Sequence, residues 1–207
     1  MLSFSKKELA LFKKLNTPIK VQDFINSIPI NHEADGIATA KSPIMVLRKN
    51  NAHCIEGAML GAYILSLHGH RALLVHLKTT KEDFEHVIAP FCVNGLWGAL
   101  SKTNHAVLRY RDPLYKDLHE LVMSYFHEYT TDDGVKTLRS YSEMLDLKDF
   151  GSDWMLEEQD LWGIDEELGR IKHHHIVPKG LRLRKADPIE RSFGMVTEWK
   201  KNKHKKA

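Results

Sequence analysis

The sequence predicts an α+β fold, with a central helix packed on a small antiparallel sheet and additional helices at both ends. Three observations point there. After Asn51, apolar residues recur at spacings of three and four (Ile55, Met59, Ala62, Tyr63, Leu67), and Ala58, Leu60, Ile64 and Leu65 extend the apolar surface around most of the helix, as in a helix at the centre of a fold. Three strand-like runs follow: Ala72 to Leu77, His86 to Val93 and Leu96 to Ser101. The last two are joined by Asn94-Gly95, the strongest short hairpin signal, because both central residues of a type I′ turn take positive φ.

Ser5-Lys6-Lys7-Glu8 is a capping box, in which serine and glutamate each satisfy an orphan backbone donor, so a short first helix follows. Thr17-Pro18 begins a second, with proline at the first helical position, where its missing N–H costs nothing. Asn31 to Ser42 is polar and reads as a loop. The central helix stops at Gly69, flanked by His68 and His70. After the strands, Asp112-Pro113 is expected to open a long helix with Leu114, Leu118, Leu121, Val122, Tyr125, Phe126 and Tyr129 on one stripe, ending near Asp133-Gly134. Trp154 to Arg170 looks helical and amphipathic.

Composition bounds the function. The 207 residues, 43% apolar and 28% charged with mean hydropathy −0.37, make one water-soluble domain with an appendage, and exclude disorder of the whole chain. The longest nearly apolar run, Ala58 to Leu67, is about half of the roughly 20 residues that span a bilayer, and Lys6, Lys7 and Glu8 replace the basic head and apolar block of a signal peptide. No membrane contact and a cytoplasmic location are the expectation. Two cysteines, Cys54 and Cys92, exclude a disulfide framework and a zinc site of three or four thiolates. His173-His174-His175 does not make a metal site, since three consecutive side chains cannot face one ion, and neither metal nor cofactor is expected. There is no P-loop, Gly-x-Gly-x-x-Gly or Gly-x-Ser-x-Gly motif. The net charge of +3 hides a basic tail, Ile176 to Ala207, with ten Lys/Arg against three acids, on an acidic body.

If Asn51 is the N-cap, Cys54 lies in the first turn of the central helix, where unpaired N–H groups and the helix dipole stabilise a thiolate. His86, at the head of the second strand, can face that helix start and take the thiol proton. Counting back from a two-residue turn pairs Cys92 with Trp97, Ile88 with Ser101 and His86 with Thr103, which leaves Ser101, Thr103 and Asn104 all within reach to orient the imidazole. The ordinary alternatives are a small buried helical cysteine and a solvated histidine. Glu56, in the first turn, complements the helix dipole, and Asn50 or Asn51 can offer an amide to an oxyanion beside the N–H of Cys54.

The run Cys54-Ile55-Glu56-Gly57-Ala58, a helix ending at Gly69, a strand, then Glu85-His86-Val87 and a strand bearing Trp97 resembles the core of the transglutaminase-like branch of the papain-like cysteine hydrolases. The likeness covers about Ser42 to Tyr110, and the later segments around Ser101 to His105, Arg109 to Pro113 and Leu138 to Ser142 are similar to a bacterial set of such proteins. It implies a triad of a cysteine at a helix start and a histidine and an aspartate on successive strands. The aspartate's place, four residues after Trp97, is Ser101 here, and Asn104 is the other candidate, as an asparagine serves in papain-like enzymes.

The expected organisation is an N-terminal helical segment (1–41), a transglutaminase-like core (42–142), a C-terminal helical extension (143–175) and the basic tail (176–207). The expected function is thiol-dependent acyl chemistry on a peptide or protein amide, with Cys54, His86, Ser101 and Asn104 as the catalytic candidates. The rival is a degenerate binding or scaffold protein whose tail contacts nucleic acid or an acidic partner. A redox pairing of Cys54 with Cys92 lacks a Cys-x-x-Cys arrangement.

Overall fold

The structure, a computed structural model, describes residues 2–33 and 36–193. Helix α1 (Lys6–Lys14) opens on the capping box, with Glu8 N donating to Ser5 Oγ and Ser5 N donating to the Glu8 carboxylate at 2.6 Å. Helix α2 (Pro18–Ser27) has Thr17 as its cap and proline in its first turn. The described residues between Asn31 and Ser42 form no helix or strand, and Ser42 caps α3 (Pro43–Lys49). That helix spans seven residues, too few for a periodic pattern to announce it.

Helix α4 (Cys54–Ser66) is the centre of the molecule, with every residue from Ile55 to Leu65 buried. The chain leaves it through Gly69, at φ +88°. Strands β1 (Leu73–Lys78), β2 (His86–Val93) and β3 (Leu96–Ser101) form an antiparallel meander. The register counted from the turn is the observed one, from Val93 opposite Leu96, through Cys92 opposite Trp97, to Ile88 opposite Ser101, with Asn94 and Gly95 both at positive φ.

The chain after β3 departs from the expected long helix. Residues 111–115 form strand β4 (Arg111–Tyr115), and helix α5 (Leu118–Phe126) begins only after Asp117, whose carboxylate accepts Glu120 N at 2.8 Å. Two physical facts favour the strand. At the sheet edge a proline gives up no ladder bond on its solvent side, so Pro113 is tolerated there. Gly98 on β3 lets the backbone of β4 come close, since a Cβ at that position would lie 2.6 Å from Arg111 O. Leu114, placed on the apolar stripe by the helical pattern, is exposed.

Strands β5 (Ser140–Ser142) and β6 (Leu145–Asp146), helix α6 (Trp162–Arg170), strand β7 (His173–His175) and helix α7 (Pro188–Phe193) complete the described chain. Of the expected Trp154 to Arg170 helix, only α6 and a single 3₁₀ turn at Trp154–Leu156 form. The sheet therefore has seven strands, in the order β4-β3-β2-β1-β5-β7 with β6 also on β1, and every pairing is antiparallel. The architecture is α+β.

Strand alternation divides the core between two faces. Leu74, Val87, Ala89, Phe91 and Leu100 pack with α4, and Val75, Leu77, Ile88 and Ala99 pack with Leu121, Val122 and Tyr125 of α5. Alternation also separates the three consecutive histidines: His173 Nε2 lies 3.2 Å from His76 Nδ1, while the ring of His174 stacks on Tyr141. Among the described residues no helix is long and apolar enough to cross a membrane. The basic tail is described only through Phe193, and Gly194 to Ala207 lie outside the described residues.

Candidate active site

The start of α4 and the open end of the β2–β3 hairpin meet at a cleft of about 280 Å³. Its position follows from how α4 begins. Helix α3 ends at Asn50 in the left-handed conformation, and the next residues run beside Ile30, with Ala52 N donating to Pro29 O and Asn31 N donating to Ala52 O, each at 3.0 Å. That bridge delays the helix. The N-cap is His53, not Asn51, and Cys54 is the first helical residue. Asn51 instead turns its amide toward Asn31 at 3.5 Å, and neither Asn50 nor Asn51 lines the cleft.

Glu56 accepts His53 N at 2.9 Å, and does more than complement a dipole. It is completely buried and also accepts Thr39 Oγ1 at 2.7 Å, Lys41 N at 3.0 Å and Lys41 Nζ at 2.9 Å. Burial alone would raise its pKa, but the nearby His53 and the hydrogen bonds from Lys41 and Thr39 bring it below the usual value. A carboxylate held this way ties the loop before α3 to the first turn of α4.

Cys54 is half-buried. Its Sγ lies 4.0 Å from His53 Nδ1, the outer limit of a sulfur hydrogen bond. Burial pushes the thiol pKa up, yet hydrogen bonding and charge from His53 and His86 outweigh it and bring the value down to about 5. His53 moves the opposite way: burial lowers its pKa, while Cys54, Glu56 and the Thr39 carbonyl raise it to about 9. Its Nε2 lies 2.6 Å from Thr39 O, 3.4 Å from Glu33 Oε1 and 3.5 Å from Glu56 Oε1.

His86 begins β2 opposite Leu77, and its Nε2 lies 2.7 Å from Ser101 Oγ. Ser101 pairs with Ile88, so it sits on the diagonal from His86 across the ladder. The ladder stops at Ser101, and the expected pairing of His86 with Thr103 does not form. Thr103 and Asn104 line the cleft, but Thr103 Oγ1 accepts His105 N at 3.0 Å, and the partner on His86 Nε2 is Ser101, not Asn104.

Ser101 is held in turn from α2. Gln22 Nε2 donates to Ser101 O at 2.8 Å and Ser101 N donates to Gln22 Oε1 at 2.9 Å, so a side-chain amide continues the ladder by one step. The helix–sheet approach is equally tight: a Cβ on Gly57 would fall 2.3 Å from Lys102 Cβ. Lys102 Nζ donates to the carbonyls of Ile25 and Ile28 at the end of α2.

Sequence reasoning thus placed Cys54, His86 and Ser101 near one another and missed His53 and Gln22. His53 left a signal, since a polar residue three before Glu56 is the spacing of a capping box. Gln22 left none, being 79 residues from its partner.

No family model matches the sequence, and no curated protein matches it. Among solved structures, the chain is similar to Legionella pneumophila LapG (EGTA-treated), with 15% identity and a TM-score of 0.40 over 70% of this chain and 81% of that one.

Proposed function

We propose that this protein is a thiol-dependent hydrolase of a peptide or protein amide, built on a papain-like, transglutaminase-like core, with Cys54 as nucleophile and His86 as acid–base. One observation carries the proposal: a cysteine at the first position of a buried helix opens into a cleft between two histidines and has a thiol pKa of about 5. With Nε2 against Ser101, the nitrogen of His86 left for the thiol is Nδ1. In the tautomer the mechanism uses, Nε2 keeps its proton and Ser101 Oγ accepts it, a role the hydroxyl can fill because it both accepts and donates.

The thiol proton passes to His86, and the thiolate attacks the carbonyl carbon to form a C–S bond. The resulting oxyanion faces the start of α4, where the Cys54 N–H is one of the helix's orphan donors. His86 returns the proton to the leaving nitrogen as the C–N bond breaks. Water then cleaves the thioester, releasing the acid and restoring the thiol. Hydrolysis is proposed over transfer, water being an acceptor that needs no site of its own. Ser101 supplies a hydrogen bond but no negative charge, so it orients the imidazole without stabilising the imidazolium as a carboxylate does.

The test is alkylation of Cys54 across pH. A rate plateau that reaches well below the ordinary thiol range of about 8.5 supports the assignment. Slow reaction at Cys54 that follows an ordinary thiol overturns it.

A second reading has its own observation. A groove of about 460 Å³ on the C-terminal side is lined by Lys136, Arg139, Lys179, Arg184 and Lys185, of which Arg184 pairs with Asp187 and Glu190 and Lys185 with Asp133. It supports a binding role toward nucleic acid or an acidic partner. Titration with a nucleic-acid duplex checks it: salt-sensitive binding lost in Arg139→Glu/Lys179→Glu supports this role, and absence of binding at low salt removes it.

A further inference from the structure

We propose that His53 is a positioning residue, an imidazolium that stays charged beside the Cys54 thiolate and supplies the electrostatic support that Ser101 does not give through His86. The inference rests on Cys54 being the nucleophile, and begins from where the carboxylates lie. Among the described residues none bonds His86 at Nε2, where a serine hydroxyl stands. Two surround His53: Glu33 Oε1 and Glu56 Oε1 lie 3.4 and 3.5 Å from its Nε2. The same nitrogen is 2.6 Å from the Thr39 carbonyl, an acceptor only, so Nε2 carries a proton in every state of the ring. Protonation at the other nitrogen, Nδ1, therefore decides the charge, and Nδ1 is the atom facing Cys54 Sγ at 4.0 Å.

Two carboxylates favour the protonated form, against the nearby cation Lys41, whose Nζ lies 2.9 Å from the same Glu56 Oε1. Glu56 is fixed on α4 by Lys41 and Thr39 and cannot turn away from His53. Glu33 comes from the loop before α3, where it also accepts Thr39 N at 2.8 Å. From β2 comes His86, and from the chain after α5 comes Tyr129, whose hydroxyl donates to Phe84 O and whose pKa burial raises well above 10, so it adds no charge. Across the cleft, Glu85 pairs with His76 at 2.9 Å and Glu128 pairs with Arg111, while Asp83 accepts Thr137 Oγ1 and Phe84 N. His105 lines the same cleft, and Lys102 turns its ammonium to the end of α2.

The consequence is a division of labour between two histidines. His53 is bound to the same helix turn as the nucleophile and to a buried carboxylate, so it holds charge without moving a proton. His86, with a neutral hydroxyl behind it, is free to gain and lose one. In a triad with a carboxylate the base histidine does both.

The experiment needs no substrate. The pH dependence of iodoacetamide alkylation at Cys54 is measured in the full-length protein carrying Cys92→Ser, alone and with His53→Gln, His86→Gln or Glu33→Gln. Without a histidine substitution, the rate rises near pH 5, holds a plateau, and rises again near pH 9 as the imidazolium is lost and the thiolate becomes a freer nucleophile. His53→Gln should remove the upper step and slow alkylation at pH 6 about tenfold, because the lower step moves up. His86→Gln should keep the upper step. Glu33→Gln keeps an acceptor for Thr39 N while removing the carboxylate charge 3.4 Å from Nε2, and should lower the upper step.

An upper step that persists in His53→Gln and vanishes in His86→Gln overturns the role of His53 while leaving Cys54 as the nucleophile. A Cys54 that alkylates as an ordinary thiol in all four proteins overturns both. If His53→Gln fails to fold, the Glu33→Gln shift decides: movement of the upper step supports His53 as its origin, and an unmoved step refutes it.

Discussion

Cys92 stands near the closed end of the β2–β3 hairpin, opposite Trp97 and exposed, two residues before the Asn94-Gly95 turn. Cys54 meets the open end of the same hairpin from the start of α4, half-buried between His53 and His86. Both are free thiols in one small sheet-and-helix core. The closed end is held by local turn geometry, and its cysteine faces solvent. The open end is closed by other elements: Gln22 from α2 extends the ladder, Gly57 admits Lys102 against α4, and Glu56 ties the loop before α3 to the helix start. Reactivity here belongs to the end that the chain has to assemble from a distance.

The largest expected effect separates the two cysteines. Cys54→Ser should abolish amide hydrolysis with a change in melting temperature of only a few degrees, while Cys92→Ser leaves turnover within about twofold. Because the Cys54 pKa is depressed, the thiolate form is lost only as pH falls through about 5. Alkylation of Cys54 should therefore persist to that pH; a rate at Cys54 that has already collapsed well above pH 5 would erase the contrast.

Next is Gly57→Ala, whose new methyl would lie 2.3 Å from Lys102 Cβ and 2.7 Å from its Cγ. Overpacking at this contact should cost about 1–3 kcal/mol in denaturant unfolding and move β3 away from the nucleophile, so activity falls with stability. Ser101→Ala should come third. It removes the hydrogen bond on His86 Nε2 and should lower kcat about tenfold, equivalent to about 1.4 kcal/mol, with little change in the thiol pKa if His53 supports the thiolate. A fall of both together would give the two histidines one joint role.

The smallest effect belongs to the closed end. Gly95 sits at φ +82° with nothing within 4 Å of an added Cβ, so Gly95→Ala should cost about 1 kcal/mol of backbone strain and leave alkylation at Cys54 unchanged. Loss of Cys54 reactivity in that variant would show that the two ends are coupled.

Much of this arrangement was legible along the chain. The apolar circumference of α4, the three strands and the Asn94-Gly95 turn determine a register, and that register alone brings Ser101 to the diagonal of His86. The long helix after Asp112 was misread because Leu114 and Leu118 fit a helical stripe as well as they fit the edge of a sheet. Periodicity cannot weigh a proline at an edge strand or the space that Gly98 opens. Strands of two or three residues such as β5, β6 and β7 are set by partners far along the chain, and carry no pattern of their own.

The sequence by itself determined the elements whose signals are local: caps, a buried helix, a hairpin and a cysteine near a helix start. Only the tertiary structure decided what surrounds that cysteine. The bridge between Ile30 and Ala52 moved the helix start to Cys54, making His53 the cap, and two carboxylates from different segments then came to rest against it. The physical reason is range: turns and caps are fixed by neighbours within a few residues, whereas a thiol's charge is fixed by whatever groups folding brings within a few ångströms.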